Sequence, residues 1–310
     1  MYVHNYFDYI DEDIAYLLGS IVARGEINYD NGLILIRYPY KYLEIDGQLT
    51  WQSIVISLDK VANRFKKLGF DIDKEALGPG KDITLILETK PESLQMRLMR
   101  FFFGNKTNYR EFEVPMKLWQ CSSNIVKEFI RGYCDVAAHI RASNRDEDGF
   151  HRVYIDVLFQ NWRLPVQLCN LIQIKAGVPV HTIVWAHPNI RDPHVKHGSG
   201  NWWKKEHQIK IYAHHFLPIG FYIKHKQQLL EEYARINIER IKKGEKPRHK
   251  PCRAVIKRVR PRQSHPDEKD PDLPSEIRGQ HINSYKEICI ALGCKFAKTS
   301  SIERFLGHDH

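Results

Sequence analysis

Apolar side chains recur at helical spacing in two stretches whose internal glycines, Gly19 and Gly132, lie 113 positions apart. The first reads Ala15-Tyr16-Leu17-Leu18-Gly19-Ser20-Ile21-Val22-Ala23-Arg24-Gly25-Glu26, the second Phe129-Ile130-Arg131-Gly132-Tyr133-Cys134-Asp135-Val136-Ala137-Ala138-His139-Ile140. Each predicts a helix, over 13–24 and 126–137, ending in small residues before an extended segment. A glycine inside a helix costs about 1 kcal/mol relative to alanine. Packing of one helix on the other offsets that cost, with Gly19, Ala23, Gly132 and Val136 as the expected contact.

The pattern downstream repeats as well. After the first helix come Glu26 to Asp30, a hairpin-type Asn31-Gly32 turn and the apolar run Leu33 to Ile36. A helical stretch, Ser57 to Leu68, then stops at Gly69. After the second helix come His139 to Ala142, a polar turn through Asn144 to Gly149, and Val153 to Phe159; a helical stretch, Pro165 to Lys175, stops at Gly177. Each half continues into strand-like segments (Ile83 to Leu87; Thr182 to Trp185 and Gln208 to Tyr212) and a closing helix (Glu92 to Phe103; His215 to Glu232). The order is helix, two strands, helix, two strands, helix, twice over, which is a domain duplication rather than a solenoid.

Composition sets the class. At 310 residues and 43% hydrophobic content, two ordinary cores are expected. No apolar run approaches the ~18 residues of a membrane span, and Met1 to Asn5 lack a signal-peptide pattern. The six cysteines form no CxxC pair, so a reducing, intracellular setting is expected, cytoplasmic or nucleoid-associated.

The net charge of +10 is uneven. Residues 1–125 carry 15 Lys/Arg against 17 Asp/Glu, residues 126–235 carry 15 against 10, and residues 236–310 carry 17 against 10. Between Arg240 and Arg262 eleven basic side chains face only Glu245, in a run broken by Pro247, Pro251 and Pro261. The pattern predicts an extended arm suited to a polyanion such as double-stranded DNA, whose phosphates release counterions on neutralisation.

The two glycine-containing helices resemble degenerate copies of the LAGLIDADG motif of homing endonucleases. The resemblance covers residues 1 to about 235 and matches the single-chain, two-repeat form. It implies an α+β fold of two pseudo-symmetric αββαββα repeats, 1–125 and 126–235, forming a monomeric DNA-binding saddle, followed by a basic arm and small helical tail over 236–310. In that family the motif helices pack at a pseudo-twofold axis, and each repeat lays a sheet into the major groove, which presents a distinct pattern for every base pair.

The departures bear on the chemistry the resemblance implies. In the family the eighth motif residue is an acid, and the two acids hold divalent metal; here those positions are Arg24 and Ala137. Neither offers the hard oxygen ligands that Mg²⁺ requires. Two readings remain open. Either the chain binds its site without cutting, as a regulator or beside a partner protein that supplies catalysis, or the chemistry has moved. In the second case Glu26 and Asp135 are the candidate metal ligands, with Mg²⁺ as cofactor, His139 the general base and Arg24 a phosphate clamp. A structural Arg24–Asp135 pair is the alternative role for the buried acid. An RNA-splicing maturase is a third use of the same fold.

The candidate DNA contacts are Arg37 and Lys41 in the first repeat, and Arg141, Arg145, Arg152, Lys204 and Lys205 in the second. In the arm they are Arg248, Lys250, Arg253, Lys257, Arg258 and Arg260. Glu88-Thr89-Lys90 has the form of a nuclease ExK half-motif, with Asp82 the nearest acid on its strand. His181, His187, His194, His197 and His207 fit no zinc-finger spacing, and the segment Pro188 to Asn201 reads as a polar DNA-facing loop. In the tail, Ser284 to Gly293 and Ser300 to Leu306 suggest a helix pair, with a zinc site at His281, Cys289 and Cys294 as the rival.

Overall fold

Helix α1, Glu12–Arg24, starts where the Asp11 carboxylate accepts from Ile14 N at 2.8 Å, and its first-turn acids and terminal Arg24 complement the helix dipole. The computed structural model describes residues 9–39, 51–78, 81–142, 149–158, 160–188, 205–247 and 291–293. From α1 the chain enters β1 (Gly25–Asn28) with no loop, turns at Gly32 (φ +64°), and continues as β2 (Leu33–Tyr38), α2 (Trp51–Lys66), β3 (Asp71–Ala76), β4 (Ile83–Glu88) and α3 (Leu94–Phe103). After a 3₁₀ turn, Met116–Gln120, the order recurs as α4 (Ser123–Ala137), β5 (Ala138–Arg141), β6 (Arg152–Leu158), α5 (Arg163–Ile174), β7 (Thr182–Pro188), β8 (Lys205–Tyr212) and α6 (Lys224–Lys242), with one helical turn, Ala213–Phe216, before α6. The chain is therefore α+β with αββαββα written twice. The two antiparallel sheets share one strand order, β1-β2-β4-β3 and β5-β6-β8-β7.

Two compact units divide the chain differently from the repeats. One comprises Met1–Ile140 with Phe216–Glu232, the other Arg141–His215 with Tyr233–His310. The second motif helix thus belongs to the first unit, because α4 packs backbone to backbone on α1. A Cβ on Gly19 would collide with the Phe129 carbonyl oxygen and lie 2.8 Å from Tyr133 N; one on Gly132 would collide with the Tyr16 carbonyl. The contact is reciprocal: Gly19 meets Phe129 as Gly132 meets Tyr16, and both pairs are related by the same offset of 113. That is the signature of a pseudo-twofold axis. Ala23 and Val136 are buried on the same two helices.

Strand alternation divides the first sheet into two faces. Ile27, Ile34, Leu87, Ile36, Leu85, Tyr38 and Ile83 are buried on the inner face. The register aligns Glu26, Leu35, Ile86 and Asp73 in one outer row, Asn28, Leu33, Glu88 and Asp71 in a second, and Arg37, Thr84 and Glu75 in a third. All eleven are half-buried or exposed.

Two sequence expectations need correction. The closing helix of the second repeat runs over Lys224–Lys242, not His215 to Glu232. Pro218 and Gly220 (φ +65°) break the chain after the short turn Ala213–Phe216, so the long helix starts only beyond them. The basic arm therefore cannot begin at Arg240, which lies within α6. Its guanidinium donates to the Gly149 carbonyl, pairs with Glu245 and lies 4.7 Å from the Phe150 ring centre.

Candidate functional site

Helices α1 and α4 end at Arg24 and Ala137, and each passes directly into a strand. Around the end of α4 the first unit builds a buried polar cluster. Asp135 is fully buried, with its Oδ2 accepting from Tyr16 OH at 2.7 Å and from Tyr222 N at 3.0 Å, and its Oδ1 accepting from Ile223 N at 3.3 Å. Lys226, also fully buried, caps the helix. Its Nζ donates to the carbonyls of Asp135 (2.6 Å), Ala138 (2.9 Å) and Cys134 (3.4 Å), three acceptors for its three protons. A cation on these carbonyls also meets the negative end of the helix dipole.

The electrostatics follow from burial. Burial raises the Asp135 carboxyl above its ordinary range, although Lys226 and the hydrogen bonds from Tyr16, Tyr222 and Ile223 pull it back. Burial likewise pushes the Lys226 ammonium down to about 8, with Asp135 opposing. The Tyr16 hydroxyl and Cys134 thiol are both driven upward, first by burial and then by the neighbouring Asp135.

One face of α4, Glu128, Arg131 and Asp135, carries the rest of this network. Arg131 Nε donates to the Ile219 carbonyl at 2.8 Å and pairs with Glu128. Glu128 pairs at 2.8 Å with Arg64 of α2, which also bonds Asp13 and lies 4.4 Å from the Tyr16 ring centre. Arg64, Lys226, Tyr16 and Tyr222 were not among the expected site residues. Lys226 sits in a lysine- and glutamine-rich helix start that reads as solvated, and only the long-range contact with residues 134–138 reveals its role.

The expected Arg24–Asp135 pair does not form. Asp135 lies on the face of α4 turned to Tyr16 and the 222–226 segment, whereas Arg24 packs 5.3 Å from the Tyr109 ring centre and donates to the Ala23 carbonyl. Glu26 lies on the outer face of the first sheet, opposite Leu35 and bridged to Asn108, while Asp135 is in the interior. His139 is buried on β5. Among the described residues, no group of three or more His, Cys, Asp or Glu side chains is arranged to hold a metal ion. With Arg24 and Ala137 at the helix ends, and the Asp135 oxygens taken by protein donors, these residues do not fit a divalent metal.

The candidate DNA contacts separate similarly. Arg37 is exposed on the outer face of the first sheet, where among the described strand residues it is the single base beside Glu26, Asp71, Asp73, Glu75 and Glu88. Arg141 is half-buried on β5. Arg152 is 2% exposed and lies 5.0 Å from the Tyr212 ring centre, so it is corrected from a surface contact to a core residue. Lys205 opens β8, paired with Pro188. Lys41, Arg145, Lys204, Arg248, Lys250, Arg253, Lys257, Arg258 and Arg260 lie outside the described residues, as do His194, His197, His281, Cys289 and Cys294. His207 is buried against Trp162 and Trp185 (centroids 4.4 and 4.9 Å), whereas His181 is half-buried just before β7 and packs on Tyr212. Of the first tail helix only residues 291–293 are described; the Gly293 carbonyl accepts from Asn170 Nδ2 at 3.1 Å. Opposite Glu88 of the ExK-like tripeptide stands Asp71 on β3, not Asp82.

No protein-family model and no curated protein matches this chain. Solved structures similar to it include full-length DUF199/WhiA from Thermatoga maritima, at 15% identity and TM-score 0.41, covering 76% of this chain and 64% of that one. The N-terminal LAGLIDADG domain of DUF199/WhiA is similar at 13% identity and TM-score 0.36, over 78% and 90% of the two chains. The homing endonuclease I-DmoI, in complex with DNA and Ca, is similar at 14% identity and TM-score 0.31, over 64% and 82%. The chain thus spans less than two thirds of the full-length relative. The fold is LAGLIDADG-like, as its own element order, sheet order and reciprocal helix contact establish. No described helix is long and apolar enough to cross a membrane.

Proposed function

We propose that this chain binds double-stranded DNA without cutting it through its motif helices. The observation that carries the reading is the Lys226 ammonium seated on the Cys134, Asp135 and Ala138 carbonyls at the end of α4. A divalent metal brought to that helix end meets a fixed like charge and finds no free carboxylate oxygen. Arg24 at the other helix end adds a second cation. The DNA half of the reading draws on the resemblance and on charge: residues 126–310 carry 32 Lys/Arg against 20 Asp/Glu, a surplus that favours phosphate.

Incubating the full chain with a randomised duplex library, with and without Mg²⁺ or Mn²⁺, tests both halves. The expected result is enrichment of particular duplexes with no nicked product in either metal. Metal-dependent nicking abolished by Glu26→Gln would restore the rebuilt-centre reading. Cutting that appears only when cell extract is added would assign catalysis to a partner protein. Failure to retain duplex while retaining structured RNA would favour the maturase reading.

A further inference from the structure

The outer face of the first sheet has the wrong charge for the role its position in the fold suggests. Among the described strand residues, five carboxylates, Glu26, Asp71, Asp73, Glu75 and Glu88, share it with one base, Arg37. Phosphates approaching such a face are repelled rather than held. Nor does the face read as a plain solvated surface, because Leu33, Leu35 and Ile86 sit half-exposed at its centre. Apolar residues rimmed by charge on an open surface mark an interaction site.

We infer that this face is a protein-docking surface for a lysine- and arginine-rich extended segment of a partner protein. The geometry matches that occupant in two respects. Asp71, Asp73 and Glu75 fall on alternate residues of β3, about 7 Å apart, which is the repeat of same-side side chains on an extended chain. A segment alternating cationic and apolar residues sets its cations against these acids and Glu88, and its apolar side chains against Leu33, Leu35 and Ile86. Opposed charge sets the encounter rate and orientation, and the apolar centre contributes the affinity. The inference stands whether or not the chain binds DNA.

The test uses a fluorescein-labelled dodecapeptide of alternating arginine and valine, titrated into the full chain and followed by anisotropy. Binding should saturate, and should weaken at least tenfold in the triple variant Asp71→Asn, Asp73→Asn, Glu75→Gln, whose substitutions are near-isosteric and on the surface. Leu35→Gln should weaken it severalfold, and a glutamate–valine dodecapeptide should not bind. Duplex affinity, read on the same triple variant, should change less than threefold. Unsaturable binding, or equal binding by wild type and triple variant, overturns the inference. So does displacement of the peptide by a random 30-base-pair duplex together with a tenfold gain in duplex affinity in the triple variant, which would make DNA the occupant.

Discussion

A lysine with no exposed surface survives only if its charge is met, and Lys226 meets three carbonyls and the Asp135 charge. Its proton balance predicts a pH effect. The folded value is about 8, whereas an unfolded lysine titrates near 10.4. Between these values the unfolded chain holds the proton and the folded chain does not, so this group's contribution to stability rises with pH across that window. Below pH 8 the full cost of burying the charge is present. The stability of wild type relative to Lys226→Met should therefore improve from pH 7 to 10 in urea melts; a flat difference would mean that the ammonium keeps its proton. Asp135→Asn tests the other half of the cluster. The amide can accept only through one oxygen, so one of the donors Tyr16 OH, Tyr222 N or Ile223 N faces an NH₂ group instead. We expect a loss of about 1–3 kcal/mol per unmet donor, and a Lys226 value displaced further downward because its carboxylate partner is gone.

At the scale of elements, the glycines predict the strongest single-site effects. Gly19→Ala and Gly132→Ala each place a methyl into the opposing backbone, not into a side chain that can rotate away. Each should destabilise by about 1–3 kcal/mol or more, while the double variant should cost less than the sum, since the first methyl already forces the helices apart. Additive losses in denaturant melts would show that the two contacts are independent. These same glycines made the duplication readable in the sequence, since a helix tolerates them only for close approach. Strand β3 was not readable: Asp71-Ile72-Asp73-Lys74-Glu75-Ala76 has little β-propensity, and its alternation places acids outward over a weakly apolar inner face. The Arg24–Asp135 pair failed because nearness to a helix end does not specify which face a residue occupies. Asp135 turns to Tyr16, 119 residues away in the chain, and no local pattern encodes that.

For the whole molecule, charge is unevenly distributed. The first repeat is balanced, 15 bases to 17 acids, and its open sheet face is acidic; the base surplus lies beyond it, densest after the end of α6. If that surplus meets phosphate, affinity should follow log salt with a slope set by the number of phosphates neutralised, each contributing about 0.9. Replacing Arg253, Lys257, Arg258 and Arg260 together by glutamine leaves the described core untouched and removes four charges. Filter binding between about 50 and 200 mM salt should show a slope shallower by roughly one unit for each phosphate no longer neutralised. Preferred and random duplexes should be weakened alike, because phosphate contacts carry no sequence information. A quadruple variant that loses discrimination between duplexes at unchanged slope would instead place these side chains on base edges. The basic run would then be the reader, and the acidic first sheet would have no part in recognising the nucleic acid.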